Sequence, residues 1–375
     1  MAELVMRVKY WGVRGSIPAP LSSADVRKKH EVLVERLLTD GVDQVLTDGK
    51  IDRGKLAAYL DSLPPSVSGT YGGNTTSVEV QVKDSPLIMI DCGTGARLLG
   101  LELMKRLFGA EKGFNPLDNR NPRSPEDGKE THLFQSHLHW DHIQGFPFFV
   151  PGFVPGVKIH IYGRANARVK LQESLAGQQE FPNFPVEFPD MAARIEFHEM
   201  RRFVTPTQQI GAARVTPMEL SHPDGVFAYR IDVPYDEPTG ASSAVIKHTS
   251  FVFATDTEHR DMVDPRLLEL AKGAKVLYYD SQYTPEEYAG PRGRTTSKID
   301  WGHSTFILAV RTALAATVPL VVLGHHEPVR DDFGLEEVLA RALQFRDNEL
   351  KRPENTGKTL DVMLAREGLE HEFLA

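Results

Sequence analysis

The chain has a single cysteine, Cys92, in 375 residues. That excludes a disulfide framework and a cysteine-built zinc ribbon. No apolar run approaches the ~20 residues needed to cross a bilayer. The first residues, MAELVMRVKYWG, are too short and too charged to form the apolar stretch of a signal peptide. Positive charge is scarce as well: 43 Lys and Arg stand against 51 Asp and Glu, a formal net charge of −8. Nothing forms the basic stripe by which long nucleic acid is held through its phosphates, although a local basic groove can sit within an acidic total. No internal repeat is visible. These absences lead us to expect a soluble, cytoplasmic protein with no membrane contact, for which nucleic acid is a poorly suited partner.

What is present is ample material for a core, with 41% hydrophobic and 25% charged residues. Alternating or continuous apolar runs predict strands in MRVKYWG, TSVEVQVK, LIMIDCGTG, THLFQSHLH, KIHIYG, RIEFHEM and ARVTPMEL, and again in FAYRIDV, SFVFATDTEH, KVLYYDSQY and PLVVLGHHEP. Helices are predicted in ARLLGLELMKRLFG, DPRLLELAKGA and STFILAVRTALAATV. Strands interleaved with helices predict stacked sheets flanked by helices, in one domain over 1–375. Residues 22–63 read as an inserted helical hairpin. There Val26, Leu33, Val34, Leu37 and Leu38 recur near helical spacing, Ser22 or Ser23 can cap the start, and Gly41 can end the helix. Residues 111–130 are rich in Pro, Asn and Gly and read as a loop. Residues 331–375 read as a helical tail.

The chemistry concentrates in SHLHWDHIQG, where His137, His139, Asp141 and His142 fall within six positions. On extended backbone alternate side chains share a side, so His137, His139 and Asp141 can converge while His142 points elsewhere. Imidazole and carboxylate together suit zinc and its first-row neighbours. Four ligand-type side chains that split into pairs suit two ions better than one, and each ion then needs further ligands. His222, Asp256 and His325 qualify, because each follows the end of an apolar strand. His326 competes with His325, and His259 lies three residues after Asp256. Asp256 could instead cap a helix, and His303 could simply begin the helix that follows it. Cys92 reads as a small buried side chain under the Gly93–Gly95 turn. Asn74, after two glycines in YGGNT, could hold a loop or meet a phosphate.

With these motifs in place, the chain resembles the metallo-β-lactamase superfamily, an αββα sandwich with a binuclear metal site along one edge. The strings YWGVRGSIPAP, YGGNTTSVEV, DCGTGARLLG, SHLHWDHIQGFPFF, ATDTEH, DSQYTPEEY, WGHST and LGHHEPVRDD resemble its phosphodiesterase branch of tRNA 3′-processing endonucleases, cyclic-nucleotide phosphodiesterases and cyclic-phosphate hydrolases. The resemblance implies that His137, His139 and His222 hold one ion, that Asp141, His142 and His325 hold a second, and that Asp256 bridges them. It implies two zinc ions, with manganese as the alternative, a hydroxide between them as nucleophile, and Asp91 as a carboxylate orienting the ligand loop. His303 in WGHST occupies the place of a histidine beside the scissile phosphate, where it can stabilise charge or protonate the leaving oxygen. The tRNA-processing enzymes carry His-Glu-Ala-Thr on the preceding strand. This chain has YYDSQY, so Asp280 takes the glutamate's place and Tyr279 the histidine's, and no Gly/Pro-rich basic tRNA arm is recognisable.

These observations lead us to expect a binuclear metal-dependent phosphodiesterase acting on a small diester such as a cyclic nucleotide. Asp141, His303 and Asp280 would serve catalysis and Asn74 would contact substrate. The alternatives are a tRNA 3′-processing-type endonuclease and a thioester or lactone hydrolase of the same fold. The hairpin is expected to bury its apolar stripe either as a lid or against a second subunit, and a homodimer is the expected assembly.

Overall fold

A computed structural model describes residues 3–108, 129–164, 170–201, 206–237, 245–290 and 297–375. The loop expected over 111–130 lies almost wholly outside them. In chain order the strands are β1 (Leu4–Gly12), β2 (Leu46–Thr47), β3 (Lys50–Ile51), β4 (Ser77–Val82), β5 (Leu87–Ile90), β6 (Glu130–Phe134), β7 (Lys158–Arg164) and β8 (Arg194–Met200). They continue with β9 (Gln208–Ile210), β10 (Ala213–Leu220), β11 (Val226–Glu237), β12 (Val245–Ala254), β13 (Val276–Asp280), β14 (Leu320–Gly324), β15 (Asp361–Leu364) and β16 (Glu370–Leu374). The helices are α1 (Ser23–Asp40), α2 (Arg53–Ser62), α3 (Pro65–Ser68), α4 (Gly95–Phe108), α5 (Trp140–Ile143), α6 (Leu171–Gly177), α7 (Pro265–Ala271), α8 (Pro285–Ala289), α9 (Phe306–Ala316) and α10 (Asp332–Leu350).

Two seven-stranded sheets pack face to face, in the orders β16-β1-β4-β5-β6-β7-β8 and β15-β14-β13-β12-β11-β10-β9. The two-residue period of a strand sorts its side chains between layers. In β13, Val276 and Tyr278 enter the layer between the sheets, whereas Leu277 and Tyr279 face the outer helices. In β6, Phe134 faces inward and Leu133 faces outward toward α4. Helices α4 and α6 cover the first sheet, and α7, α9 and α10 cover the second, which is the expected αββα layering. Strands β12, β13 and β14 are parallel, and β10 runs with them because both β10 and β12 are antiparallel to β11. Four strand ends of the second sheet therefore open at the same edge.

One expectation changes. The tail over 331–375 is not helical throughout: after α10, β15 extends one sheet beside β14 and β16 extends the other beside β1. These strands are four and five residues long, too short for a local alternation signal, and their partners lie far away in sequence. The hairpin helices form where expected, α1 with a Ser22–Asp25 capping box. Within the single chain the stripe is not covered as a lid would be: Val34 is 55% and Leu38 67% exposed. The buried residue of α1 is Lys29. Its ammonium donates to Ser66 O at 2.8 Å and Gly69 O at 3.0 Å, and pairs with Asp332 Oδ2 at 2.7 Å. Asp332 also meets Arg14 Nη2 at 3.4 Å. The helix is thus anchored by a buried charge network rather than by its stripe. Removing one member of such a network would cost about 3–5 kcal/mol.

Candidate metal centre

Each candidate ligand leaves the end of a strand or the turn after it. His137 and His139 follow β6, and α5 supplies Asp141 and His142. His222 follows β10, Asp256 follows β12, and His325 follows β14. Their ligand atoms form two groups, His137–His139–His222 and Asp141–His142–Asp256–His325, each within 4.8 Å. Asp256 links them. Its Oδ1 lies 3.2 Å from His325 Nε2 and 3.7 Å from His137 Nε2, and its Oδ2 lies 3.1 Å from His142 Nε2. His142 Nε2 is also 3.1 Å from Asp141 Oδ2, and His222 Nε2 is 3.1 Å from His139 Nδ1.

The other ring nitrogens are held from behind, as ligand histidines require. Asp91 is fully buried and accepts from Ser136 N at 2.7 Å, Ser136 Oγ at 2.8 Å and Gln135 Nε2 at 3.0 Å, and its Oδ2 is 2.7 Å from His142 Nδ1. Ser136 Oγ also lies 3.1 Å from His137 Nδ1. One carboxylate therefore sets the whole His137–His142 turn. His222 Nδ1 meets Gly302 O at 2.8 Å, and His325 Nδ1 lies 3.3 Å from Thr255 Oγ1. Asp91, Asp256 and His325 all adopt positive φ, +58°, +49° and +56°. That left-handed region is costly for residues with a side chain and is typical of functional sites. Here it turns each side chain out of its strand direction toward the edge.

The residues present fit divalent cations. Nε2 of His137, His142 and His325 is buried and faces carboxylate oxygens without forming a well-directed hydrogen bond, although buried polar atoms are nearly always paired. Burial, with the neighbouring imidazoles, keeps His137 neutral far below the usual histidine range, and burial lowers His222 to about 4. Both offer lone pairs at neutral pH. His142 goes the other way. Burial opposes its charge, but Asp141, Asp256 and Asp91 outweigh burial and raise it well above the usual range. The second group thus has an excess of negative charge that a cation would balance.

His303 is also drawn to this edge. Its Nδ1 lies 2.9 Å from Asp280 Oδ2, and its ring centroid lies 5.0 Å from that of His325 and 5.5 Å from that of His222. Burial opposes its charged form, but Asp280, helped by Asp256 and Asp141, raises it to about 9. Asp280 is fully buried and also accepts from Gln282 N and Ser304 N. Tyr279 turns to the helix side of β13, so nothing from its side chain joins His303.

Other candidates fall outside the centre. His326 Nε2 hydrogen-bonds Ala365 O at 2.8 Å. His259 lies between Thr257 Oγ1 and Asp264. Asn74 donates to Glu367 Oε2 at 3.1 Å, and its N–H to Glu367 Oε1 at 2.6 Å. Its amide thus holds the loop to Glu367, an acceptor distant in sequence that no local signal announced. Cys92 is fully buried, as expected, and burial pushes its thiol pKa up. Two contributors went unmarked in the sequence. Ser16 N–H donates to Asp141 Oδ2 at 2.8 Å, and Thr255 Oγ–H donates to Asp256 Oδ2. The position of Thr255 in ATDTEH was the available clue. The cleft beside His137, His139, Arg164 and Asp224 holds about 80 Å³, whereas a cavity of about 680 Å³ near β1, β4 and β5 contains none of these residues.

His325 and His326 give a direct test. His325→Gln should lower the metal content, and His326→Gln should leave it unchanged while costing about 1–3 kcal/mol of stability for the altered buried hydrogen bond. Elemental analysis and thermal melts check both; metal loss in His326→Gln alone would reverse the assignment.

An αββα sandwich with histidine and aspartate clusters at one open edge defines the class of metallo-β-lactamase-fold hydrolases. The chain belongs to the β-lactamase superfamily domain family, which matches residues 87–326, and it is a hydrolase. Ribonuclease BN of Escherichia coli strain 536 is 25% identical over 306 residues, covering 71% of this chain and 88% of that one. Ribonuclease BN of Erwinia tasmaniensis is 25% identical over 222 residues, and the match covers 58% of this chain and 64% of that protein's length. A diphosphatase from the PhnP family has a similar fold, with a TM-score of 0.51, 17% identity and coverage of 98% of both chains.

Proposed function

We propose that this hydrolase is a binuclear metal-dependent phosphodiesterase acting on a small diester such as a cyclic mononucleotide. The observation that carries the reading is His303. It is a histidine held protonated by a buried carboxylate, Asp280, with its ring against both ligand groups. A phosphodiester brings a permanent negative charge beside this cation, which a neutral ester or lactone does not, and its leaving oxygen takes a proton. The ribonuclease relatives fit the same bond class.

His137, His139 and His222 would hold one ion, Asp141, His142 and His325 the other, and Asp256 would stand between them. When bound, two such cations activate water and neutralise phosphoryl oxygens. The chain's own residues do the rest. Asp91 and Ser136 orient the ligand turn. Asp280, fixed by two backbone N–H groups, keeps the proton on His303 Nδ1. The imidazolium then stabilises phosphoryl charge and passes a proton to the departing oxygen.

Substrate size follows from the inserted hairpin. It departs from the loop whose Ser16 N–H touches Asp141 and returns to the strand entry at Asn74. The Lys29–Asp332–Arg14 network ties it down beside that loop. A docked insertion at this edge favours a small substrate over folded RNA. The exposed Val34 and Leu38 leave an apolar face suited to a homodimer. The relatives' name supports a second reading, an RNA endonuclease of the tRNA 3′-processing type. A direct competition under saturating zinc or manganese separates the two: we expect turnover of a cyclic mononucleotide in preference to a precursor tRNA. Efficient removal of a tRNA 3′ trailer, with no turnover of any small cyclic diester, would establish the second reading instead.

A further inference from the structure

At the opposite end of β6 from the candidate centre, a second set of imidazoles and carboxylates gathers on three adjacent parallel strands. The register places His132 of β6 beside His160 of β7, and Tyr162 of β7 beside His198 of β8. Their side chains share the face of Phe134 and Tyr162, which looks toward the other sheet. The rings of His132 and His160 stack with centroids 4.6 Å apart and planes inclined by 12°. Glu130 Oε1 lies 3.2 Å from His160 Nε2 and 3.4 Å from His132 Nε2. Bonds of about 2.0–2.1 Å to a tetrahedral ion would set ligand atoms roughly 3.3 Å apart, which matches these spacings.

The remaining ring nitrogens complete the pattern. His132 Nδ1 lies 3.2 Å from Tyr162 Oη. His160 Nδ1 lies 3.1 Å from His198 Nε2 and 3.4 Å from Glu196 Oε2. Glu196 is itself held by Arg194 at 2.6 Å. Both candidate ligands thus have an orienting partner behind them, the arrangement found around metal-bound histidines. Burial, together with the nearby His160, lowers His132 to about 4, so it carries a free lone pair at neutral pH. Glu130 is 41% exposed, and a cavity of about 290 Å³ lined by Tyr162, His198, Glu199, Met200 and Gln208 opens alongside. An ion could enter from solvent.

We propose that Glu130, His132 and His160 form a further metal site, separate from the candidate catalytic centre, for a divalent ion of the zinc class. Tyr162, His198 and Glu196 orient its imidazoles. The donor set of two imidazoles and one carboxylate matches zinc and its first-row neighbours and is a poor match for calcium or magnesium. Five residues of chain separate His132 from His137, so at about 3.3 Å per residue the two places lie roughly 15 Å apart. Such an ion would staple β6 to β7 at the end remote from catalysis.

The test counts zinc in the full-length protein after saturation with zinc and desalting. The His160→Gln protein should retain one zinc fewer per chain than the wild type, with unchanged turnover on bis(p-nitrophenyl) phosphate. Tyr162→Phe should hold that ion about 10–100-fold more weakly in competition with a chelator, because only the orienting hydroxyl is lost. Should His160→Gln fail to fold, Glu130→Gln, at the exposed rim, should lose the same equivalent. Equal zinc content in the wild type and the folded variant would overturn the proposal and leave a hydrogen-bonded cluster. So would zinc held at this site more weakly than about 1 mM. Because the readout is a difference between two proteins, the result does not depend on which reaction the catalytic centre performs.

Discussion

Asp256→Ala should reduce phosphodiester turnover by more than about 10³-fold, beyond the loss caused by deleting one charge-stabilising donor. It should also release both ions of the candidate centre. The geometry explains the size of the effect. Among the described residues Asp256 is the carboxylate whose oxygens face both ligand groups, at 3.1 Å from His142 Nε2, 3.2 Å from His325 Nε2 and 3.7 Å from His137 Nε2. Alanine leaves those nitrogens without a counter-charge, and the cost of uncompensated buried polar groups is added to the loss of metal affinity. Asp256→Asn controls for shape. It keeps the volume and one acceptor oxygen, removes the charge, and should lose nearly as much activity while unfolding at a temperature closer to the wild type. Elemental analysis and turnover on bis(p-nitrophenyl) phosphate measure the two effects. Full metal content with near-normal turnover in Asp256→Ala would end the binuclear reading.

His303→Ala should leave the metal content intact and lower turnover by roughly 10²–10⁴-fold, the range for a lost general acid. The companion variant tells the role apart from simple packing. Burial alone would lower the His303 pKa, but the charge and hydrogen bond of Asp280 raise it to about 9. An acid acts while protonated, so activity should fall as pH rises through that value. Asp280→Asn removes the charge that lifts it, and the fall should then begin at lower pH, with a smaller loss of turnover near neutrality. An unshifted alkaline limb would remove Asp280 from this role. Loss of metal in His303→Ala would make His303 a ligand instead, which its approach to Asp256 and His325 permits geometrically.

Much of the fold was legible because it rests on local pattern. The strands from LVMRVKYWG to LVVLG alternate or run apolar over lengths that fit a buried sheet. The helices after Gly95 and Thr305 carry their own periodicity. The candidate ligands were legible for a similar reason: His137, His139, His222, Asp256 and His325 are costly side chains placed directly after apolar strands. Where a local pattern could not decide, the deciding partner lay far away. The choice between His325 and His326 rests on Tyr278, whose hydroxyl meets His325 N–H at 2.9 Å, and on Ala365, whose carbonyl captures His326. Asn74 is claimed by Glu367, 293 residues away. Within the chain α1 is anchored by Lys29, because Asp332 and the carbonyls of α3 surround it.

By itself, then, the sequence determined which stretches become strands and which bear metal-binding chemistry at their ends, because side-chain alternation and ligand type are properties of a few consecutive residues. Only the tertiary structure decided that six such ends meet. That convergence needs β5 and β6 in one sheet and β10, β12, β13 and β14 in the other to finish at a common edge. Strand order, register and the left-handed turns at Asp91, Asp256 and His325 arise from contacts between segments far apart in the chain, such as the pairing of Leu4 in β1 with Leu374 in β16. No local window contains them, because the free energy that selects them is the burial of the inter-sheet layer as a whole.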